Sequence, residues 1–534
     1  MDILKTTAKR HYYLLTSILM FVSGITVITL ALPFLAVLAW VSLVPLLLYV
    51  KEKPLKEVYF YAFIAGLIGN YLQYRWIGDF GANVAGGNFV IVGFVIPSLT
   101  VFFATRVLVA EFLSRKFESF RILVYPSVWI IIDWIQSLGH LAFPWAYIAY
   151  TQYTFTPFIQ SASVLGILGI NFIMVAVNTA VSELVIYFQD EKPGLPLLLR
   201  SVPFRRVAFF ILLLVVMCTW GFFHMHSHRE KGEPQQRAVM VQSCISPWEN
   251  WNINRFMYLK ALEDLTRDAM KHDPDVVIWS ESATLESISF DYFNGRLDRF
   301  EKKVVDLADE LNVPLLTGEI GIIEDHMALR YYPQNNLVYI NEDGEVVATY
   351  PKNHLVPFGE WFPYQRWFPF VQKIIYAFGG SAFVPGDKPM MFNVNGYMSG
   401  NLVCYENIFY RMCRQYGRMG VDFFVNITNL GWTENPTGHM QHFAFSVFRA
   451  IENGTWFYSA GNTGYTAFID PYGRITSSIP LMVKDYCTGD VNFALNHETV
   501  YLVTGDVILY LAIMLAGALG IVIFVSIWRK EPNR

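Results

Sequence analysis

Apolar positions follow two regimes along the chain. Up to about residue 227 they gather into long runs, at roughly 12–30, 33–50, 58–76, 89–111, 121–138, 163–187 and 207–224. Each run is near the ~20 residues that carry a helix across a bilayer core. The run 121–138 is the weakest, because Asp133 interrupts it. No small-residue cleavage site follows the first run, so it reads as a retained helix rather than a removed leader. From His228 to Val500 the pattern shortens and mixes with polar residues. One more apolar run, about 502–527, closes the chain. The expected organisation is a polytopic α-helical membrane domain over 1–227 with seven spans, a mixed domain over 228–500, and a final helix with its tail over 501–534.

Inside the mixed region the periods alternate between strand and helix. Ala238–Gln242 and Asp275–Trp279 read as strands, the second ending at Ser280-Glu281. Arg255–Lys271 and Phe300–Leu311 have helical spacing, whereas Ser287–Leu297 shows no clear period. Val313–Gly318 and Asn336–Ile340 read as strands. Asn341–Gly344 is a hairpin turn, and Val346–Tyr350 is its return strand, reaching Lys352. A further strand, Gly400–Val403, runs into a turn with Cys404 at its tip. This order predicts a layered α/β fold.

Charge fixes an orientation. Lys5, Lys9 and Arg10 precede the first run, and Lys51, Lys53 and Lys56 follow the second. Arg115, Lys116 and Arg121 lie between the fourth and fifth, and Lys192, Arg200, Arg205 and Arg206 between the sixth and seventh. The alternate loops, 78–88 and 140–161, hold no Lys or Arg. The positive-inside rule then puts the N-terminus in the cytoplasm and the mixed domain on the outer face. The last run returns the basic tail, Arg529, Lys530 and Arg534, to the cytoplasm. Arg106, near the end of its span, is expected to reach the interface with its long stem. Asp133 has two readings, a functional intramembrane acid or a partner for backbone groups in a bent helix.

Composition agrees with a membrane chain. Hydrophobic residues make up 54% and charged residues 16%, against about 25% charged in a soluble domain. A net charge of −4 and the absence of basic runs with interleaved aromatics give no sign of a nucleic-acid partner, and none is expected. The five cysteines, Cys218, Cys244, Cys404, Cys413 and Cys487, show no zinc-like spacing. His439 and His442 share one helix face without an acidic third ligand, so no metal is expected. Arg449 and Glu452 read as a structural pair.

Three polar residues follow strand patterns in the mixed region: Glu281, Lys352 and Cys404. A thiol becomes a nucleophile when a neighbouring base takes its proton, and a nearby ammonium stabilises both the thiolate and a tetrahedral oxyanion. Singly, each has a plainer reading: a helix-terminal acid, a hairpin surface charge, a packed thiol. Together they make an acyl-transfer set.

Their local contexts, WSESA, YPKNHLVPFGE and GNLVCYE, resemble the nitrilase (carbon–nitrogen hydrolase) superfamily. That resemblance implies an αββα sandwich with Glu281 as general base, Lys352 as oxyanion-stabilising cation and Cys404 as nucleophile. It implies supporting places for Glu360, for Glu406 beside the nucleophile, for Asn429 and Trp432 in NITNLGW, and for Trp251 in VQSCISPWENW. The Tyr405 backbone N–H is expected to donate to the oxyanion. Two positions depart from the family pattern: Leu430 replaces its usual acid, and Cys244 stands where small residues are usual.

Seven spans before such a domain and one after resemble the apolipoprotein N-acyltransferase family. Phe143-Pro144-Trp145 and Gly169-Ile170-Asn171 are further matching pieces. The resemblance implies a phospholipid acyl donor, phosphatidylethanolamine, and diacylglyceryl apolipoproteins as acceptors. It implies no cofactor, a monomer, and a place in the bacterial inner membrane with the catalytic domain in the periplasm. The aromatic stretch after Lys352, with Trp361, Phe362, Tyr364, Trp367, Phe368, Phe370 and Tyr376, is expected to form a lid at the outer leaflet hinged at Gly379-Gly380. A water-using membrane-tethered amidase would employ the same three residues.

Overall fold

A computed structural model describes residues 33–79, 93, 95–145, 147–227, 232–325, 330–361 and 383–528. The chain divides into two compact units, one running up to Met225 and resuming at Thr504, the other spanning His226–Val503. The first apolar run, and the expected lid after Trp361 with its hinge at Gly379-Gly380, lie outside the described residues.

Among the described residues of the first unit, four helices are long and apolar enough to cross a membrane: Ile96–Lys116, Ala162–Glu191, Val202–His226 and Val507–Trp528. Leu55–Tyr74 and Arg121–Gln136 pack with them around Phe103, Val107, Val128 and Trp129. The run 33–50 departs from a continuous span. It breaks into a 3-10 turn, Pro33–Trp40, and a short helix, Val44–Val50. The break is held by side chains from elsewhere in the unit. Asn178 accepts from Leu43 N at 2.8 Å and donates to Ala39 O at 3.1 Å, while Gln152 donates to Ala36 O at 2.9 Å. Irregular backbone among apolar helices persists where polar partners replace the missing helical bonds.

Arg106 also departs from expectation. It is buried, not extended to an interface, and its guanidinium lies 2.5 Å from Asp133 Oδ1. Arg106 donates to Gln136 Oε1 at 2.7 Å, and Asn171 donates to Asp133 Oδ2 at 2.9 Å. Asp133 is therefore the counter-charge that lets an arginine sit inside the bundle, since buried charges persist when paired and hydrogen-bonded. A second buried acid, Glu111, takes Arg121 at 2.8 Å and Tyr125 Oη at 2.5 Å.

The second unit is a two-sheet sandwich. Its strands are β1 (Gln236–Gln242), β2 (Val276–Trp279), β3 (Leu315–Asp325), β4 (Arg330–Ile340), β5 (Val346–Pro351), β6 (Met391–Val394), β7 (Tyr397–Val403), β8 (Phe423–Thr428), β9 (Trp456–Gly461), β10 (Thr466–Ile469), β11 (Ile475–Ile479) and β12 (Asp485–Val491). One sheet has the order β12-β1-β2-β3-β4-β5 and the other β11-β10-β9-β8-β7-β6. Each has three parallel strands, β1-β2-β3 and β7-β8-β9, with antiparallel neighbours outside them. Tyr458 Oη donates to Gln236 Oε1 and Thr466 Oγ1 to Gln242 Oε1, joining the two sheets face to face. Helices Trp251–Ala269 and Arg299–Leu311 cover the first sheet through Leu259, Leu262, Phe300 and Val304. Helix Pro436–Asn453 lies against the second, through β9 and β10. The αββα layering implied by the resemblance is present.

Local chemistry explains the boundaries that the periods miss. Helix Trp251–Ala269 starts four residues before Arg255, because Asn250 caps it by accepting from Ile253 N. The aperiodic stretch Ser287–Leu297 contains a short helix, Ile288–Phe293, held by Glu319, whose carboxylate accepts from Ser289 N and Oγ. Strands β3 and β4 run well past Gly318 and ahead of Asn336, pairing from Leu315↔Ile340 to Asp325↔Arg330. The polar residues that break their apolar pattern bond one another: Asn336 Nδ2 donates to Glu319 Oε1 at 3.0 Å.

Gly318 lets β3 approach the segment that carries Glu281. A Cβ there would stand 2.5 Å from Ser282 N and 2.8 Å from both Glu281 Cα and Ser280 O, all of them backbone. Gly318→Ala is expected to lower stability by about 1–3 kcal/mol. It should also slow turnover by about 10²-fold through displacement of Glu281. Thermal unfolding and turnover of the purified variant check both.

Candidate active site

Glu281 follows the C-terminal end of β2, Cys404 that of β7 and Asn429 that of β8. Parallel strands thus deliver three site residues to one rim, where open α/β sheets place their ligands. Lys352 arrives from the end of β5, its backbone N–H donating to Asn335 O at 2.8 Å.

Lys352 is fully buried between two carboxylates. Its ammonium lies 2.7 Å from Glu360 Oε1 and 3.4 Å from Glu281 Oε1. Burial alone would pull its pKa down. The charges of Glu360 and Glu281 outweigh that and hold it above the ordinary lysine range, so the cation is permanent. Glu281 is fixed at both oxygens: Oε1 also accepts from Asn335 Nδ2 at 2.8 Å, and Oε2 from Asn429 N at 2.7 Å. Glu360 Oε2 accepts from Val356 N at 2.8 Å, closing its own turn.

The Glu281 carboxylate acts on the buried thiol of Cys404. Burial, then the negative charge of Glu281, push its pKa well above the usual thiol value. Lys352 pulls it down and Glu360 pushes it up again. At rest Cys404 is therefore a thiol beside a carboxylate, not a preformed thiolate. Alkylation of Cys404 by iodoacetamide, followed on its own peptide by mass spectrometry, should keep accelerating as pH rises through 9. A plateau below pH 8 would contradict this.

The Cys404 backbone has φ +52°, a left-handed conformation unusual for a non-glycine residue that costs on the order of 1 kcal/mol. Two groups hold its carbonyl: His442 Nε2 at 3.0 Å and Asn426 Nδ2 at 3.4 Å. Glu406, two residues on, ties the nucleophile turn to the lysine loop. It accepts from Val403 N, Asn353 N, His354 N and Tyr350 Oη between 2.6 and 3.0 Å. Burial pushes its pKa up to about 7 against the pull of those backbone donors and of Lys352.

The expected residues divide by contact. Glu281, Lys352, Cys404 and Glu360 form one connected cluster, and Asn429 joins it through its backbone N–H, not its side chain. Asn429 Oδ1 instead accepts from Gly431 N and Asn462 Nδ2. Tyr405 is buried beside the cluster, its ring edge-on to Phe409. Trp432 is half-buried in the turn after β8. Trp251 packs on Phe300 and donates its indole N–H to Glu286 Oε1 at 2.8 Å, a place in the helix layer. His439 and His442 do not act as a pair: His439 Nε2 meets Thr433 O and His442 Nε2 meets Cys404 O. Arg449 and Glu452 are bonded at 2.8 Å with both side chains fully buried. Cys244 occupies a left-handed turn position, its N–H donating to Asn462 O.

Two contributors escape the sequence reading. Asn335 Nδ2 bridges Glu281 Oε1 and Glu360 Oε1. Its signal was an Asn-Asn pair inside a strand pattern, a residue type that strands disfavour. His442 signalled itself only as one of two histidines on the same helix face.

Such a sandwich, with Glu, Lys and Cys meeting at its strand ends, defines a carbon–nitrogen hydrolase domain, and residues 237–501 match that family. Residues 23–180 match the apolipoprotein N-acyltransferase N-terminal domain. Apolipoprotein N-acyltransferase from Geobacter metallireducens is 30% identical over 491 residues, covering 91% of this chain and 90% of the relative. Apolipoprotein N-acyltransferase 1 from Treponema denticola is 24% identical over 496 residues, 88% of each chain. A solved amidase from Nesterenkonia sp. aligns with 52% of this chain and 97% of its own, at 16% identity and a TM-score of 0.38. The chain belongs to the apolipoprotein N-acyltransferase family.

Proposed function

We propose that this chain acylates the α-amino group of the S-diacylglyceryl-cysteine at lipoprotein N-termini, drawing the acyl chain from a phospholipid through a thioester on Cys404. The observation that carries the proposal is the buried cluster in which Lys352 pairs with Glu281 and Glu360 while all three act on the Cys404 thiol, in a member of this family. In the first half-reaction Cys404 Sγ attacks the ester carbonyl and Glu281 accepts the thiol proton. Lys352 and the Tyr405 N–H hold the tetrahedral oxyanion. Collapse breaks the ester C–O bond, Glu281 returns its proton to the leaving alkoxide, and a lysophospholipid departs. In the second half the amine attacks the thioester and Glu281 takes the amine proton. The C–S bond then breaks, and Cys404 regains a proton as the amide leaves.

The donor in this reading is phosphatidylethanolamine, and the enzyme works as a monomer in the bacterial inner membrane. Its catalytic domain, 228–500, faces the periplasm, between the membrane domain 1–227 and the helix and tail 501–534. The lysine and arginine distribution and the apolar helices that precede and follow the sandwich in the sequence support that placement. Incubating the enzyme with acyl-labelled phosphatidylethanolamine and a diacylglyceryl-cysteine peptide tests it. Label should reach the peptide amine with lysophospholipid as co-product. Release of free fatty acid without peptide acylation would point instead to a hydrolase.

A further inference from the structure

We propose that His442 is a positioning residue for the oxyanion site: by holding the carbonyl of the Cys404–Tyr405 peptide, it aims and strengthens the Tyr405 N–H. The inference rests on the proposed acyl transfer and on that N–H as an oxyanion donor. His442 Nε2 is 3.0 Å from Cys404 O. A carbonyl only accepts, so Nε2 carries the proton and donates. Burial pulls the His442 pKa down to about 4, which keeps the ring neutral. The ring itself comes from a fixed support. The His442 carbonyl accepts from Asn407 Nδ2 at 3.3 Å, and that amide also donates to Ser446 Oγ at 3.1 Å.

A peptide unit is planar, with its C=O and N–H pointing in opposite directions. Fixing the Cys404 carbonyl against His442 therefore fixes the heading of the Tyr405 N–H. The left-handed φ of Cys404 turns that peptide, and Asn426 Nδ2 adds a longer hold on the same oxygen at 3.4 Å. A hydrogen bond accepted by the carbonyl also polarises the amide and makes its N–H a better donor. His442 touches neither thiol nor substrate in this scheme and acts through one peptide bond.

Two reactions of Cys404 separate this role from general support. Acylation passes through a tetrahedral oxyanion, whereas alkylation by iodoacetamide does not. His442→Phe should slow single-turnover acylation from a phospholipid by about 10- to 100-fold, part of what a lost oxyanion donor costs. It should leave the donor KM and the alkylation rate near wild type. His442→Gln, which keeps an N–H donor, should recover most of the loss. Asn426→Ala should give a smaller loss of the same kind, and it carries the test if His442→Phe fails to fold. Equal losses in acylation and alkylation, or acylation at the wild-type rate, would overturn the inference. Full acyl transfer by Cys404→Ala would instead overturn the reading beneath it.

Discussion

Cys404→Ala is expected to lose the acyl-enzyme and transfer to the acceptor together, with a fall on the order of 10⁴-fold or more. The size follows from covalent catalysis. No other group in the cluster supplies a nucleophile: Glu281 and Glu360 are held by donors at both oxygens, and Lys352 is locked as a cation between them. Cys404→Ser tests the same point more finely. A hydroxyl is a much weaker nucleophile than a thiol beside the same base, and an ester on serine is less reactive toward an amine than a thioester. Serine should therefore fold normally and transfer almost nothing. Single-turnover acylation, with lysophospholipid release as a second readout, measures both variants.

Lys352→Met is expected to damage stability as well as rate. The ammonium sits within 3.4 Å of both carboxylates, and its side chain is fully buried. Removing it leaves two acids sharing Asn335 Nδ2 with no counter-charge, at a cost of about 3–5 kcal/mol. Losing the cation at the oxyanion should cost acylation a further 10²- to 10³-fold, roughly. The two losses separate in a double variant. Lys352→Met with Glu360→Gln removes one of the stranded charges, so thermal stability should recover in large part while acylation stays low. Recovery of activity in the double variant would show that Lys352 only balances charge.

Glu281 illustrates why such clusters tolerate little change. Its Oε2 accepts from Asn429 N and its Oε1 from Asn335 Nδ2 and Lys352. A glutamine amide in its place would set its own N–H₂ against a donor in either orientation. The position demands a carboxylate by its geometry.

The sequence made Glu281, Lys352 and Cys404 legible because each follows a strand whose apolar run is plain. DVVIW leads to Glu281, VVATY to Lys352, and GNLV to Cys404. The layered fold was legible for the same reason, since strand and helix periods alternate from Ala238 to Leu311 on both sides of the aperiodic Ser287–Leu297. What the periods hid was polar. Asn335, Asn336 and Glu319 interrupt the apolar pattern of β3 and β4, yet they sit in the strands because they bond one another and the site. Arg106 looked like an interfacial arginine because its partner, Asp133, lies 27 positions away on another helix. Pairing across helices leaves no periodic trace. The broken run 33–50 is similar, since the side chains that make the break tolerable, Asn178 and Gln152, lie more than 100 residues further along. His442 is a third case: its role depends on the direction of one carbonyl.

The central claim is that the acyl chain passes through a thioester on Cys404. Intact-mass analysis of the purified enzyme after incubation with phospholipid, without an acceptor, tests it most directly. The account predicts one added acyl mass, carried by the Cys404 peptide, released by hydroxylamine and discharged by a diacylglyceryl-cysteine peptide. Acceptor acylation at the full rate with no acyl mass on the enzyme at any time point, or an acyl mass that persists in Cys404→Ala, would contradict it.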